Sequence, residues 1–203
     1  MGVIREPVKE SAIIKKERII EKGFELMCEK GYHNVNCVDI AKYAGVSTGI
    51  IYQYFSDKRA IFIEGINSYS KSFMFPMFDV FENNIIDKDN ISVLLDGIID
   101  KFINTHKMSY RAHEELMSMS HIDSEIKHIF YMNELELTDR IVSALKKNGF
   151  SISNINERVH IIIGLVDNFC HEVVYHNHDN MDYEFMKREI IDIIQYMLYG
   201  KEK

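Results

Sequence analysis

The stretch Asn36-Cys37-Val38-Asp39-Ile40-Ala41-Lys42-Tyr43-Ala44-Gly45-Val46-Ser47-Thr48-Gly49-Ile50-Ile51-Tyr52-Gln53-Tyr54-Phe55-Ser56-Asp57-Lys58 decides the fold. Asn36 is suited to cap a helix, and Asp39 at the third helical position favours its positive end. Val38, Ile40, Ala41 and Ala44 supply packing. Gly45 breaks that helix, because glycine enters the backbone conformation that a sharp bend needs. Ser47 is placed to cap a second helix running from Thr48 to Phe55. Two short helices joined by a tight glycine turn are a known way to read DNA. With Val46, Ile51 and Phe55 turned inward, Thr48, Gly49, Tyr52, Gln53 and Tyr54 are left to face a duplex. A glycine-broken helix pair also serves as a plain αα-corner, so this geometry alone leaves both readings open.

Outward from this segment, hydrophobic periodicity predicts helices and no strands. Ile13, Ile14, Ile19, Ile20, Phe24, Leu26 and Met27 recur at helical spacing over 11–30, with Gly31 as the C-cap. Beyond Ser56-Asp57-Lys58 a longer helix is expected over 59–82, followed by helices near 90–107, 109–120, 123–148, 155–178 and 182–199. Only two prolines and ten glycines interrupt 203 residues. The predicted class is all-α: an N-terminal three-helix helix-turn-helix domain over 1–58, then a larger helical domain over 59–203.

The net charge is −7, which by itself argues against a nucleic-acid partner. Its distribution reverses the inference: residues 1–60 carry +2 and residues 61–203 carry −9. A mildly basic head on an acidic body places local positive charge on phosphate without indiscriminate binding. Three cysteines, Cys28, Cys37 and Cys170, lack paired spacing and read as reduced thiols of a cytoplasmic protein. No signal-peptide pattern opens the chain, and no apolar run is long enough to span a bilayer.

Taken together, Ile40-Ala41, Ala44-Gly45-Val46-Ser47, Tyr52-Gln53-Tyr54-Phe55 and Lys58 resemble the DNA-binding domain of the tetracycline-repressor (TetR) family of transcriptional regulators. The resemblance covers roughly residues 10–65. It implies a palindromic double-stranded operator bound by a homodimer, and a small, largely apolar effector that releases it. It further implies that Asn36, where the family usually has threonine, touches a phosphate at the start of the second helix. That role coexists with plain capping. Ser47, Thr48 and Gly49 open the recognition helix, and Thr48 stands where the family often has lysine, which removes one charge contact. Ile50 is placed for a thymine methyl and Gln53 for a bidentate pair with adenine. Tyr52 and Tyr54 hydroxyls are expected on phosphate oxygens, and Lys58 is expected to neutralise a phosphate.

For the body, the run Phe73 to Phe81 is dense in phenylalanine and methionine, with Pro76 expected to kink the helix. Phe78, Phe102, Tyr110, His113, Met117, Phe130 and Phe169 are the candidates for an effector pocket. Each could equally fill a core; the resemblance favours the pocket. The last two helices, near 155–178 and 182–199, are apolar nearly all round. They either pair with their copies in a dimer, as the resemblance implies, or share one monomeric core. His171, Glu172, His176 and His178 read as a polar, solvated helix terminus, because adjacent helical residues point apart and cannot share a metal simply. No metal, cofactor, catalytic constellation or membrane partner is expected, and the protein is not expected to be an enzyme. Two other readings remain: a DNA-binding activator without an effector, and a helical ligand carrier or enzyme.

Overall fold

A computed structural model describes residues 7–83, 85–108 and 110–200, and the side chains of residues 72–83, 108 and 110 lie outside the description. Nine α-helices, one short 3-10 turn and no strand occur among the described residues. The all-α reading therefore holds. None of these helices is long and apolar enough to cross a membrane.

The chain divides into two compact units. The first runs through Lys71 and also takes in Arg111–Phe130. It holds α1 (Glu10–Lys30), a 3-10 turn (Tyr32–Asn34), α2 (Cys37–Ala44), α3 (Thr48–Tyr54), the first part of α4 (Lys58–Asn83), α6 (Tyr110–Ile122) and the start of α7 (Ser124–Lys147). The second holds the rest of α4 and α7, together with α5 (Ile91–Met108), α8 (Ile155–Tyr175) and α9 (Tyr183–Tyr199).

In the first unit α1 buries Ile19, Leu26 and Met27, whereas Ile13 and Ile14, nearer its start, stay exposed. Gly31 ends the helix at φ 87°, a left-handed value that a side chain resists. The core continues through Ile40, Ile51, Ile61, Phe62 and Ile66. Two glycines bring α1 and α4 close. A Cβ at Gly65 would lie 2.5 Å from the Phe24 ring, and one at Gly23 would lie 2.7 Å from Ile61. Leu116, Met119 and Ile126 close the same core from α6 and α7.

The second unit packs Ile91, Ile99, Val159, Cys170 and Ile194 into a separate core. Lys187 sits inside it, 5% exposed, with its ammonium 2.6 Å from Asp96 and 2.7 Å from Asp100. A buried ammonium persists only when paired, so this cation ties α9 to α5. Helix α8 stops at Tyr175, three residues short of expectation, because the polar run His176-Asn177-His178-Asp179 supplies no apolar face to continue it. Helix α4 continues through position 76, and the side chain of Pro76 lies outside the described residues.

The first unit carries one strong ionic tie. Arg59 donates from Nε to Asp123 at 2.7 Å, from Nη2 to the second oxygen at 2.9 Å, and to Glu125 at 2.7 Å. The forked guanidinium matches a carboxylate on two bonds at once. Hydrogen bonding from Arg59 holds the Asp123 carboxyl down at about 2, below its ordinary 3.8. A lowered folded-state value stabilises the protein above the unfolded value and stops doing so as pH falls through the folded one. Asp123→Asn should therefore cost about 1 kcal/mol at pH 7, after discounting for the partly exposed partner. In paired thermal melts, the difference from wild type should shrink from about pH 4 and vanish near pH 2. A difference independent of pH would show that the ion pair is not its source.

Candidate DNA-binding interface

Helix α2 begins in a complete capping box. Asn36 Oδ1 accepts from the Val38 and Asp39 amides at 2.8 and 3.1 Å, and the Asp39 carboxylate accepts from the Asn36 amide at 3.0 Å. Asn36 is thus the N-cap, and its exposed position leaves a phosphate contact open. The helix ends in a two-bond Schellman turn. Gly45 takes φ 67° and ψ 38°, its amide donates to Lys42 at 3.2 Å, and the Val46 amide donates to Ala41 at 2.9 Å. A Cβ at Gly45 would also strike the Arg18 guanidinium.

The turn delivers α3 with one side anchored. Ile51 and Phe55 are 0% and 2% exposed, and Val46 packs against the same core. Ser47, Gly49, Tyr52 and Gln53 are exposed, whereas Thr48, Ile50 and Tyr54 are half-buried. The expected inward and outward sets therefore segregate at Val46, Ile51, Phe55, Gly49, Tyr52 and Gln53. Ile50 and Tyr54 straddle them, each with part of its side chain against the core. Ser47 occupies the N-cap position with extended backbone, but its hydroxyl makes no capping hydrogen bond, contrary to expectation. Tyr52 is half tied down: its hydroxyl hydrogen-bonds the Cys37 thiol, which holds the phenol proton above its ordinary range. Burial is the main cause that pushes the Cys37 thiol up.

Lys58 is more constrained than its sequence position suggested. Its ammonium donates to the Tyr32 carbonyl at 2.7 Å and the Val35 carbonyl at 2.8 Å, and lies 4.3 Å from the centre of the Tyr32 ring. An ammonium has three N–H donors. Two are committed to holding the loop before α2, which leaves one for a phosphate. The Tyr32 amide in turn donates to Glu115 at 2.6 Å, so α6 grips the same loop. Glu115, Arg59 and Asp123 were not singled out in the sequence. Their partners lie 64 to 83 residues away, and no local spacing reports such a contact.

The effector candidates divide between the units. Phe102 lines an apolar cavity of about 70 Å³ in the second unit, among aliphatic side chains of α5, α7, α8 and α9 such as Ile99, Ile141, Val166 and Ile194. Phe169 is buried in the surrounding core but is not among the cavity's lining residues. His113, Met117 and Phe130 belong to the first unit. The side chains of Phe78 and Tyr110 lie outside the described residues. His171, read as part of a solvated terminus, is instead half-buried a turn inside α8, with its ring 5.3 Å from that of His106. The partner sits on α5, 65 positions earlier, which helical spacing within 155–178 has no means of revealing.

A capped helix, a left-handed glycine turn and a second helix with one face exposed and the other packed together define a helix-turn-helix DNA-binding protein. Residues 19–64 match the family described as bacterial regulatory proteins, tetR family. This segment therefore resembles the DNA-binding domain of that family, and the relatives that the chain is similar to are transcriptional regulators. It is 27% identical over 158 residues to the fatty acid metabolism regulator protein of Bacillus subtilis, spanning 75% of this chain and 80% of that protein. Among solved structures, a TetR-family regulator from Mesorhizobium loti superposes with a TM-score of 0.76 at 16% identity, over 94% of this chain and 98% of that one. The fatty acid degradation regulator FadR from Bacillus halodurans superposes with a TM-score of 0.64 at 20% identity, over 96% and 98%.

The two glycines of the motif separate folding from recognition. A Cβ at Gly49 meets only the Ser47 hydroxyl, at 3.9 Å, so the free protein has room for one. Gly49→Ala should hold or raise the melting temperature, since alanine is favoured over glycine in a helix by about 1 kcal/mol. It should weaken operator binding if the backbone approaches DNA closely at this point. Gly45→Ala should lower the melting temperature, because its φ of 67° strains any side chain. Equal operator affinity for Gly49→Ala and wild type would exclude close approach there.

Proposed function

We propose that this regulator is a repressor that binds a palindromic operator as a homodimer and lets go when an acyl-chain ligand enters its second unit. In this reading residues 1–58 carry operator recognition and residues 59–203 carry effector binding and dimerisation. The observation that carries the DNA part is the exposed Gly49, Tyr52 and Gln53 edge of α3, held from behind by Ile51 and Phe55. Gln53 offers the amide pair that adenine accepts, and Ile50 offers methyl groups to thymine. Asn36, Ser47, Thr48, Tyr52, Tyr54 and the third donor of Lys58 are assigned to phosphate and register.

Dimerisation is assigned to α8 and α9. Ile161 on α8, with Phe185, Ile193 and Tyr196 on α9, are 44–58% exposed in the single chain. A Cβ at Gly164 would meet nothing within 4 Å, so the exposed side of α8 is open to close helix approach. A second copy covers such a self-complementary surface by two-fold symmetry and presents two recognition helices to half-sites about one helical turn apart.

The cavity supports the effector class. Its lining is aliphatic except for Phe102 and offers neither an acid nor an aromatic cage for a cation. A hydrocarbon chain suits such walls. The names of two relatives, a fatty acid metabolism regulator and a fatty acid degradation regulator, point to the same ligand class. Helix α4 contributes Lys58–Lys71 to the first unit and its remainder to the second, so a ligand-dependent shift of its later turns reaches the DNA-binding unit through one continuous helix. The ligand moves this equilibrium only by its differential affinity for the two states.

Selection of bound duplexes from a random pool should return a palindrome. Gln53→Ala should then lose roughly 5- to 150-fold in affinity for that duplex, with little change on unrelated DNA. Fatty acids or their acyl thioesters should raise the melting temperature and release the duplex. Val166→Phe, which fills the cavity, should keep duplex affinity and lose the ligand response. Absence of any enriched duplex from a folded sample at low salt would overturn the operator reading, and an unchanged ligand response in Val166→Phe would overturn the cavity assignment.

A further inference from the structure

We propose that Arg18, on α1, is a phosphate-binding residue that supplies positive charge the recognition helix itself lacks. This inference rests on the operator reading proposed above and adds a contact from outside α2 and α3. Phosphate neutralisation by lysine and arginine dominates duplex affinity. Helix α3, Thr48–Tyr54, contains no Lys, Arg or His. In an operator complex, charge beside its start comes from another element. Several cations before residue 60 are already engaged. Lys16 pairs with Glu64 at 3.4 Å, and Lys22 pairs with Glu25 at 2.7 Å and Glu21 at 3.5 Å. Arg59 holds Asp123 and Glu125, and Lys58 gives two donors to carbonyls. Arg5 lies outside the described residues. The side chains of Lys9, Lys15, Arg18, Lys30 and Lys42 are exposed and form no hydrogen bond or ion pair among the described residues.

Arg18 is placed by contact at the helix-turn-helix itself. Its guanidinium lies against the turn, in the space that a Cβ at Gly45 would need. Gly45 precedes Ser47 by two residues, which span at most about 7 Å, so the guanidinium sits beside the start of α3. Gly45 and Ser47 are both exposed, which leaves this corner open to a duplex. Lys30, by contrast, lies at the opposite end of α1, and Lys9 precedes that helix. Lys15 and Lys42 offer point charges, whereas a guanidinium matches two phosphate oxygens at once. A cation near the carbonyl end of α2 also complements the dipole of that helix. Arg18 makes no hydrogen bond to those carbonyls, so all five of its N–H donors stay available for a phosphate.

The test is duplex binding by the full-length protein, followed by fluorescence anisotropy from about 50 to 200 mM salt. Two duplexes of equal length serve as probes, the one recovered from the random pool and an unrelated one. Arg18→Gln should weaken binding to both by roughly 10-fold per protomer. It should also lower the slope of log affinity against log salt by about 1 per protomer bound. Arg18→Lys should keep the slope and lose part of the affinity, since the charge stays and the fork goes. Lys30→Gln removes the same charge 12 residues further along α1. At 1.5 Å per residue that is about 18 Å away, beyond the Debye length of roughly 8–10 Å, so it should leave the slope unchanged. Circular dichroism and thermal melts separate loss of binding from loss of fold. An unchanged slope in folded Arg18→Gln overturns the inference, and a lowered melting temperature in the same variant assigns Arg18 to the end of α2 instead. An equal fall in Lys30→Gln also overturns it, because the effect is then one of overall charge. Wild type that binds no duplex at low salt overturns the operator reading and this inference together, whereas wild type that binds with Arg18→Gln matching it overturns this inference alone.

Discussion

The first turn of α4 is the fixed point of the first unit. Its two consecutive cations are committed to different parts of the chain: Lys58 to the carbonyls of Tyr32 and Val35, Arg59 to the carboxylates of Asp123 and Glu125. Hydrogen bonds to charged groups contribute roughly 1.5–3 kcal/mol each, about twice a neutral pair. The Lys58 pair is also partly buried over an aromatic face, which strengthens it further. The Lys58 bonds fix the loop before α2 relative to α4, and the Arg59 bonds fix the start of α7. Where that loop is held sets where α2 begins against the core. Glu115 holds the same loop from α6 through the Tyr32 amide.

This arrangement explains which parts of the fold were legible in the sequence. Gly31 and Gly45 at helix ends, Asn36 at a helix start, and the inward positions Ile51 and Phe55 are local features. Each depends on neighbours within about one turn, and each stands in the structure as read. The membership of Arg111–Phe130 in the first unit is of another kind. Leu116, Met119 and Ile126 have the spacing of any amphipathic helix, and nothing in that spacing names the surface they cover. The same limit hid Lys187, whose position among Ile190, Ile191 and Ile194 gives no sign of the two aspartates waiting on α5.

The candidate sites follow the same division. The recognition edge was legible because one short helix contains both its anchors and its exposed residues. The cavity was not, because it is made where four helices fail to meet completely, and aromatic content marks bulk, not voids. Phe102 and Phe169 are indistinguishable by type, yet one borders the cavity and the other is packed beside it. His106 and His171 illustrate the point for polar residues. Either alone is an ordinary helical histidine, and only their shared approach to Asp167 makes a cluster.

A cavity inside a core is costly, and in the proposed reading that cost bears on regulation. At roughly 24 cal/mol per Å³, about 70 Å³ of unfilled apolar space costs on the order of 1–2 kcal/mol. Total stability in domains of this kind is about 5–15 kcal/mol, so the loss is appreciable. In the first unit, Gly23 and Gly65 remove side chains where α1 and α4 would otherwise be held apart. In the proposed reading, a unit with unfilled volume regains stability when a ligand occupies it. That gain depends on the shape of the occupied state, which is the differential affinity a ligand must have before it shifts any equilibrium.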